Sequence, residues 1–408
     1  MRVIAQLLVI ATLSGSGAVA QQATAGDVES LETALDVRSL EAALAANPQG
    51  AEAERLAERI RQTFGGRDAL LRGAQPLIDE TTVAWAIERP EGDQRPPRIL
   101  LPTGNRSYPM RQVGTTGVYA VARTFANGEG FAWMYDLGNG RTGGGTIEVY
   151  NVHPDSREQP GVPKGTLTQM PPWESQVFPG TTRDWWVYVP AQYQAGVPAA
   201  VMVFQDGASA REYVVPVLDN LIAKEEIPVL VGIFLEPGGT DRPRDNRSFE
   251  YDRLSDQYAR LLLEEILPEV QKTVDLRTDA ASRAIAGQSS GGIAAFTVAW
   301  ERPDEFRKVL SGIGSFTNLQ AGESGHGGGH NYEALVRRTP PKPIRIFLQD
   351  GENDLDNRAG SWWLANVTLA RSLAFAGYDY HFEQGKGFHS NAHIRAILPD
   401  ALRWLWRE

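Results

Sequence analysis

The sequence contains no cysteine. This absence excludes a thiol nucleophile, a cysteine-ligated zinc site, an iron–sulfur cluster and any disulfide. The sequence also lacks a block of basic residues, and its 40 Lys and Arg residues are outnumbered by 50 Asp and Glu residues, for a net charge of -10. Proteins that bind nucleic acid neutralise phosphates with clustered Lys and Arg side chains. We therefore expect a neutral or small partner and no nucleic acid.

Long apolar runs are also scarce. Residues 1–20 combine a basic Arg2, an apolar run from Val3 to Leu13 and the small residues Ala18-Val19-Ala20, a pattern typical of a secretory signal peptide. No later segment approaches the ~20 apolar residues that span a bilayer. The sequence therefore predicts a secreted protein, periplasmic or extracellular, without membrane association after cleavage. Its oligomeric state is left open.

The rest of the chain divides into four segments that differ in composition and in the spacing of apolar residues. Residues 21–76 are rich in Ala, Leu, Glu and Arg at helical spacing and predict a helical leader. Residues 77–152 show short alternating runs separated by turn residues, which is typical of a small immunoglobulin-like β-sandwich. Residues 153–172, rich in Pro and Gly, read as a linker. Residues 173–408 alternate strand and helix patterns, which indicates an α/β domain with a mostly parallel sheet.

The motif with the clearest chemistry is Gly287-Gln288-Ser289-Ser290-Gly291. It fits the G-x-S-x-G frame of a nucleophile elbow, in which a sharp strand-to-helix turn exposes a serine hydroxyl. An apolar strand pattern, Arg283 to Ala286, precedes the motif, and an apolar helix pattern, Gly292 to Trp300, follows it. Ser289 is therefore the predicted nucleophile of an α/β-hydrolase fold.

A serine nucleophile needs a base, which follows the nucleophile in the chain order of α/β-hydrolases. His389 lies in a glycine-rich loop after the predicted strand Tyr378 to Glu383, where it can reach the carboxyl edge of the sheet. His393 is an alternative, and His381 within the strand is the weaker one. We select His389 as the base.

The acid is expected in the carboxylate-rich segment after the strand Ile344 to Gln349. Asp354 is selected, because a few residues past the strand its side chain can turn back to the imidazole and stabilise its charged form. Asp350 and Asp356 remain alternatives. A solvated turn or a calcium-binding loop is the non-catalytic interpretation of the same cluster.

The oxyanion of acyl transfer needs two backbone N–H donors. The first is predicted at Ser290, directly after the nucleophile. The second is expected in the loop Asp206-Gly207-Ala208 after the strand Ala199 to Gln205. The sequence does not decide which amide points inward, and Gly207 is the selected candidate.

Other side chains near the predicted carboxyl edge are candidates for substrate binding. Trp362 and Trp363 offer stacking surfaces, Arg247 can bind a carboxylate, and His330 ends a glycine-rich segment. Ordinary packing or surface charge is the alternative for each of them. We expect neither a metal nor an organic cofactor.

Several motifs together resemble the esterase D and enterochelin-esterase-like group, which includes feruloyl esterases. The motifs are Phe204-Gln205-Asp206-Gly207, Glu250-Tyr251-Asp252, the elbow with Gly292, Gly314-Ser315-Phe316, Asp350-Gly351-Glu352-Asn353-Asp354 and Gly387-Phe388-His389. The resemblance runs from about Trp173 to the C-terminus, and members commonly carry an N-terminal immunoglobulin-like domain. It implies Ser289 as nucleophile, Asp354 as acid and His389 as base. The sequence departs from enterochelin esterases in lacking a clear basic cluster for an anionic siderophore.

The expected function is hydrolysis of carboxylic esters by a secreted serine esterase. Feruloyl or acetyl esters of polysaccharides are the first candidates for the substrate. Siderophore esters and small xenobiotic esters follow, and an acyltransferase or peptidase would use the same triad. An interaction or carbohydrate-binding protein with an inactive hydrolase scaffold is the alternative from another class.

Overall fold

The structure is a computed structural model that describes residues 35–90, 95–102, 104–239, 246–320 and 327–408. The predicted signal peptide at residues 1–20 and the start of the helical leader lie outside these residues. Among the helices described, none has both the length and the apolar character needed to cross a membrane.

Within the described residues, the N-terminal unit contains three helices and eight strands. Its elements are α1 Val37–Ala45, α2 Gly50–Thr63, α3 Arg67–Arg72, β1 Leu77–Asp79, β2 Thr82–Glu88, β3 Arg98–Leu101, β4 Arg106–Pro109, β5 Arg111–Gln112, β6 Val118–Thr124, β7 Glu129–Asp136 and β8 Arg141–Val149. The strands form two four-stranded antiparallel sheets in the orders β1-β2-β6-β5 and β4-β3-β7-β8.

Strand β2 explains how this unit is layered. Successive side chains of a strand point to opposite faces, and Val83, Trp85 and Ile87 pack into a core shared with the second sheet. The intervening Ala84 and Ala86 pack against the helical leader. Two facing sheets are thus covered on one side by helices, which gives the predicted leader a packing role.

The C-terminal unit is built on a mixed sheet of eight strands. Its elements are β9 Thr166–Gln169, β10 Trp173–Glu174, β11 Thr182–Arg183, β12 Trp185–Val189, β13 Ala200–Gln205, α4 Gly207–Ala223, β14 Leu230–Leu235, α5 Asn246–Tyr251, α6 Gln257–Arg260, a π-helical segment Leu261–Ile266, α7 Leu267–Val270, β15 Arg283–Gln288, α8 Ser290–Glu301, β16 Lys308–Gly312, α9 Tyr332–Arg338, β17 Arg345–Gly351, β18 Asp356–Asn357, β19 Gly360–Ser361, α10 Trp362–Ala376, β20 Asp379–Gly385 and α11 Ala392–Trp406.

The order of the large sheet is β20-β17-β16-β15-β13-β14-β12-β9. The six strands from β20 to β14 run parallel to one another, β12 pairs antiparallel with β14, and β9 pairs antiparallel with β12. Separate apolar cores lie on its two faces. Because the parallel strands end at one edge, the loops after β13, β15, β16, β17 and β20 meet there, as in other α/β sheets.

One boundary predicted from the sequence needs correction. Residues 153–172 were assigned to a linker, but Thr166–Gln169 form β9 and pair with β12, with Leu167 opposite Tyr188. The segment is polar and rich in Pro and Gly, so composition hides a short edge strand. The large sheet therefore begins before residue 173.

A buried carboxylate ties the connecting segment to the C-terminal unit. Asp155 is 3% exposed and binds both Lys224 of α4 and Arg403 of α11. Burial alone would raise the pKa of Asp155, but the hydrogen bonds from Lys224 and Arg403 outweigh it and hold this pKa below its usual value. The carboxylate thus joins two helices that lie on the same face of the large sheet.

We expect Asp155→Ala to lower the free energy of unfolding by about 1–3 kcal/mol, because a buried, charge-assisted set of hydrogen bonds is lost. Asp400→Ala is the matched control, since Asp400 binds the same Arg403 but is 67% exposed, and exposed pairs contribute at most about 1 kcal/mol. Urea unfolding at pH 7 measures both.

The sign of the pH effect follows from the lowered pKa. The contribution of Asp155 is present above its unfolded pKa of about 3.9 and is lost as the pH falls through the lower folded value. The difference between wild type and Asp155→Ala should therefore shrink below about pH 4. Equal losses in the two variants at pH 7 would contradict a special role for Asp155.

Candidate active site

The elbow between β15 and α8 places Ser289 at the carboxyl edge of the sheet. Ser289 has φ 57° and ψ -123°, a region that a residue with a side chain rarely adopts. Gly287 permits the turn, since a Cβ there would lie 2.2 Å from the carbonyl oxygen of Gly291. The elbow therefore presents the Ser289 hydroxyl above the start of α8.

The structure brings Ser289, His389 and Asp354 together. His389 Nε2 lies 2.8 Å from Ser289 Oγ, and His389 Nδ1 lies 2.6 Å from Asp354 Oδ1. Ser289 follows β15, Asp354 follows β17 and His389 follows β20, so three parallel strands aim the three side chains at one point. This is the geometry of a nucleophile, a base and an orienting acid.

Asp350 occupies a different place from Asp354. It is fully buried at the end of β17, where Oδ2 accepts a hydrogen bond from Asn366 Nδ2 at 2.8 Å. Burial and the neighbouring carboxyl group of Asp354 raise the pKa of Asp350 well above its usual value. The raised pKa favours the protonated form of Asp350, while the third alternative for the acid, Asp356, is exposed.

The Ser289 hydroxyl has a second neighbour that the sequence analysis did not assign. Ser315 Oγ lies 3.2 Å from Ser289 Oγ and accepts a hydrogen bond from Trp362 Nε1 at 3.0 Å. With Trp362 as its donor, the Ser315 hydroxyl can donate to Ser289 Oγ. Ser315 lies in the Gly314-Ser315-Phe316 motif, which was the available signal for it.

Trp362 does not lie where a substrate would contact it. It begins α10, is 3% exposed, and its ring meets the His389 ring edge to face, with 5.8 Å between centroids. The predicted contact with substrate is corrected on this ground. The side chain supports His389 and Ser315 from the interior, because an indole with its N–H satisfied packs well in a core.

A cavity of about 210 Å³ opens beside the triad. Its lining includes Ser289 and His389, with Gln205, Asp206, Ser209, Ala210, Tyr213, Arg247, Gln288, Ile313 and Asn391. Arg247 binds Asp206 through two hydrogen bonds of 2.7 Å. Burial lowers the pKa of Arg247, but the bonds to Asp206 outweigh it and raise this pKa above its usual value. The predicted site residue Arg247 thus lies in the cavity with its charge neutralised.

Two helix N-termini frame the same region. Helix α8 begins at Ser290 and α4 at Gly207, and within the described residues neither of these backbone amides donates a hydrogen bond. The Ala208 amide is already engaged by Glu236 Oε1 at 2.6 Å. Gly207 packs tightly, since a Cβ there would lie 2.4 Å from the carbonyl carbon of Phe234.

A carboxylate under the elbow holds Ser290. Asp252 Oδ2 accepts from Ser290 Oγ at 3.0 Å, and a bond from Ser248 reaches the same oxygen. Burial raises the pKa of Asp252 to about 6, although both hydrogen bonds act against that rise. The side chain of Ser290 is therefore fixed away from the cavity, and only its backbone faces the nucleophile.

The last two predicted substrate contacts lie apart from the triad. Trp363 packs its ring against Phe382 of β20 at 5.8 Å, and it is half-buried. His330 is exposed and lies in a short turn, and its own backbone N–H donates to Thr317 O. No contact found among the described residues joins either side chain to Ser289, His389 or Asp354, so their roles stay predictions.

Comparison with known proteins gives a family. Residues 175–405, more than half of the chain, match the family described as "Putative esterase". An uncharacterised protein of Bacillus subtilis (strain 168), YbbA, is 24% identical over 250 residues, which cover 55% of this chain and 92% of that protein.

Two solved structures share the fold. The enterochelin esterase of Shigella flexneri is 17% identical with a TM-score of 0.59, and the match covers 82% of this chain and 96% of that one. A ferulic acid esterase of Anaeromyces mucronatus, solved with ferulic acid, is 17% identical with a TM-score of 0.51, covering 64% and 98%. The 82% coverage is more than residues 153–408 alone can supply, so this match includes part of the chain before residue 153. The chain therefore belongs to the esterase family that matches residues 175–405, and it is a carboxylic ester hydrolase.

Proposed function

We propose that this protein is a serine esterase that works through Ser289, His389 and Asp354. The observation that carries the proposal is the pair of contacts at His389, 2.8 Å to the Ser289 hydroxyl and 2.6 Å to the Asp354 carboxylate. A base within hydrogen-bond reach of the hydroxyl and oriented by a third group is the arrangement that activates a serine.

The reaction proceeds in two halves. Ser289 Oγ attacks the ester carbonyl while His389 Nε2 takes its proton, and Asp354 stabilises the imidazolium that forms. The Ser290 and Gly207 amides, for which no acceptor is found among the described residues, are the proposed donors to the oxyanion. His389 then protonates the leaving alcohol. Water, deprotonated by His389 in the same way, then attacks the acyl-enzyme and releases the carboxylic acid.

The carboxyl groups of Asp350 and Asp354 together hold His389 in place. The raised pKa of Asp350 favours its neutral form, and we propose that this form donates to Asp354 Oδ2, a buried atom that has no hydrogen-bond partner within the described residues. A neutral donor satisfies a buried oxygen without adding a second negative charge beside the first. Asp354 therefore retains the single negative charge that the imidazolium requires.

The proposed substrate is an ester with a small neutral acyl group, such as a feruloyl or acetyl ester of a polysaccharide. The cavity of about 210 Å³ has the size of such a group, and Arg247, the cation in its lining, is neutralised by Asp206. The match to a ferulic acid esterase supports the same class. We further propose export through residues 1–20, as the sequence pattern predicts.

A siderophore ester is the second candidate, because the match to the enterochelin esterase covers most of both chains. An anionic siderophore would have to displace Asp206 to use the charge of Arg247. Hydrolysis of p-nitrophenyl acetate, methyl ferulate and enterobactin by the purified protein separates the candidates. Product analysis with added alcohol acceptors separates hydrolysis from acyl transfer.

We expect Ser289→Ala to reduce kcat for p-nitrophenyl acetate by about 10⁴-fold or more, since the nucleophile is removed. The variant should also fail to react with a fluorophosphonate probe, as judged by intact-protein mass spectrometry. Ser209→Ala is the control, because Ser209 lines the same cavity without contacting His389. Labelling of Ser289→Ala at the wild-type rate, or no labelling of the wild type, would refute the proposed mechanism. The latter result would favour a binding role.

We expect Asp350→Asn to change how stability depends on pH. The folded pKa of Asp350 is raised well above its unfolded value of about 3.9, so the wild type loses stability as the pH rises above about 4, by up to about 1.4 kcal/mol per pH unit. Removing the titrating group removes that loss. The difference between variant and wild type should therefore grow in favour of the variant between pH 6 and 9, measured by urea unfolding.

The exposed Asp356→Asn serves as the control for the Asp350 variant, since it removes a carboxyl group from the same loop region. Its stability should follow the wild-type pH dependence. Parallel curves for Asp350→Asn and the wild type would show that Asp350 is ionised in the folded protein.

A further inference from the structure

The loop that carries His389 contacts the N-terminal unit. Residues 386–391 connect β20 to α11, and Ser390 Oγ donates a hydrogen bond of 2.7 Å to Glu148 Oε1 of β8. The other oxygen of Glu148 accepts from the Tyr150 hydroxyl at 3.0 Å. One carboxylate from the N-terminal unit thus binds the residue that directly follows His389.

The surfaces fit closely at this contact. A Cβ on Gly387 would lie 2.6 Å from Glu148 Oε2, and a Cβ on Gly130 of β7 would lie 2.2 Å from the Lys386 carbonyl oxygen. Real Cβ atoms do not approach other atoms so closely, so Gly130 is needed for β7 to meet the backbone of the loop, and a side chain at Gly387 would require Glu148 to move. Tyr150 also stacks on His393 of α11, with 4.9 Å between ring centroids.

The opposite side of the loop is held by the C-terminal unit itself. Asn353, next to the acid Asp354, donates from Nδ2 to Lys386 O at 2.7 Å and from its backbone N–H to Gly387 O at 3.1 Å. The loop therefore lies between the segment of the acid and strand β8. The C-terminal unit supplies one of these supports, and the N-terminal unit supplies the other.

We propose that Glu148 is a positioning residue for the proposed base, acting through Ser390 to hold His389 in line with Ser289. The proposal rests on the proposed function. Glu148 does not touch the reacting atoms in this arrangement. Catalytic groups must be held within about 0.5 Å of the productive geometry, and the bond between Glu148 and Ser390 supports the loop on the side opposite Asn353. The N-terminal β unit is thereby a structural part of the active site.

The test compares Glu148→Ala, Ser390→Ala and the double variant. Each single variant should lower kcat for p-nitrophenyl acetate by roughly tenfold, because a small displacement of a catalytic group is costly, while KM stays within about twofold. The loss of kcat in the double variant should be smaller than the two single losses combined, since both changes remove the bond between Ser390 and Glu148. Glu148→Gln keeps one acceptor oxygen and should recover most of kcat. Hydrogen exchange of peptides covering residues 385–391 should rise in Glu148→Ala.

Glu41→Ala is the control, because Glu41 is an exposed carboxylate of the N-terminal unit paired with Arg123. It should leave kcat and the exchange of residues 385–391 unchanged. If Glu148→Ala fails to fold, Ser390→Ala removes the same hydrogen bond by changing a half-buried residue of the loop. If the wild type is active, two results would overturn the positioning role alone. These are an unchanged kcat in both single variants, or losses of kcat that add up in the double variant. Failure of the wild type to react with the fluorophosphonate probe would overturn the proposed function and this inference together.

Discussion

The backbone turn at Ser289 is the constraint on which the active site depends. A non-glycine residue in this conformation costs on the order of 1–3 kcal/mol and persists only where the surroundings enforce it. Here the surroundings are the buried β15, the buried helix α8 and the contact of Gly287 with Gly291. The packing of the large sheet thus holds a serine in a position that the local chain would not adopt alone. The strain is local, and the apolar cores on both faces of the sheet offset it.

Charge in the site is arranged in compensated pairs. Arg247 is neutralised by Asp206 at the cavity wall, and the raised pKa of Asp350 favours its neutral form beside Asp354. Buried ionised groups are tolerated only when they are paired or hydrogen-bonded. The negative charge that remains close to the imidazole is that of Asp354. This distribution favours the imidazolium as it forms and leaves the cavity wall nearly neutral towards the acyl group.

The sequence predicted the features that depend on local pattern. The elbow, the strand before it and the helix after it follow from spacing, as does the chain order of Ser289, Asp354 and His389. The parts that failed depend on packing between distant segments. Trp362 follows a loop in the sequence and is nevertheless buried, because its N–H donates a hydrogen bond to Ser315, which is 47 residues away in the sequence. Strand β9 is hidden by its polar composition, and Glu148 lies in a different unit from His389, so no periodicity could connect them. The raised pKa of Asp350 depends on its burial in the folded protein, which the sequence pattern does not show.

Strand β9 bears on where this chain can be divided. It covers the outer edge of β12, where Gln169 lies opposite Trp186 and Leu167 lies opposite Tyr188. A fragment starting at residue 173, the boundary that composition suggests, would lack β9 and expose the backbone N–H and C=O groups of β12. An uncovered hydrophobic edge is a template for pairing with other chains. Such a fragment would tend to aggregate for a reason unrelated to its catalytic residues, and a soluble fragment would have to begin before Thr166.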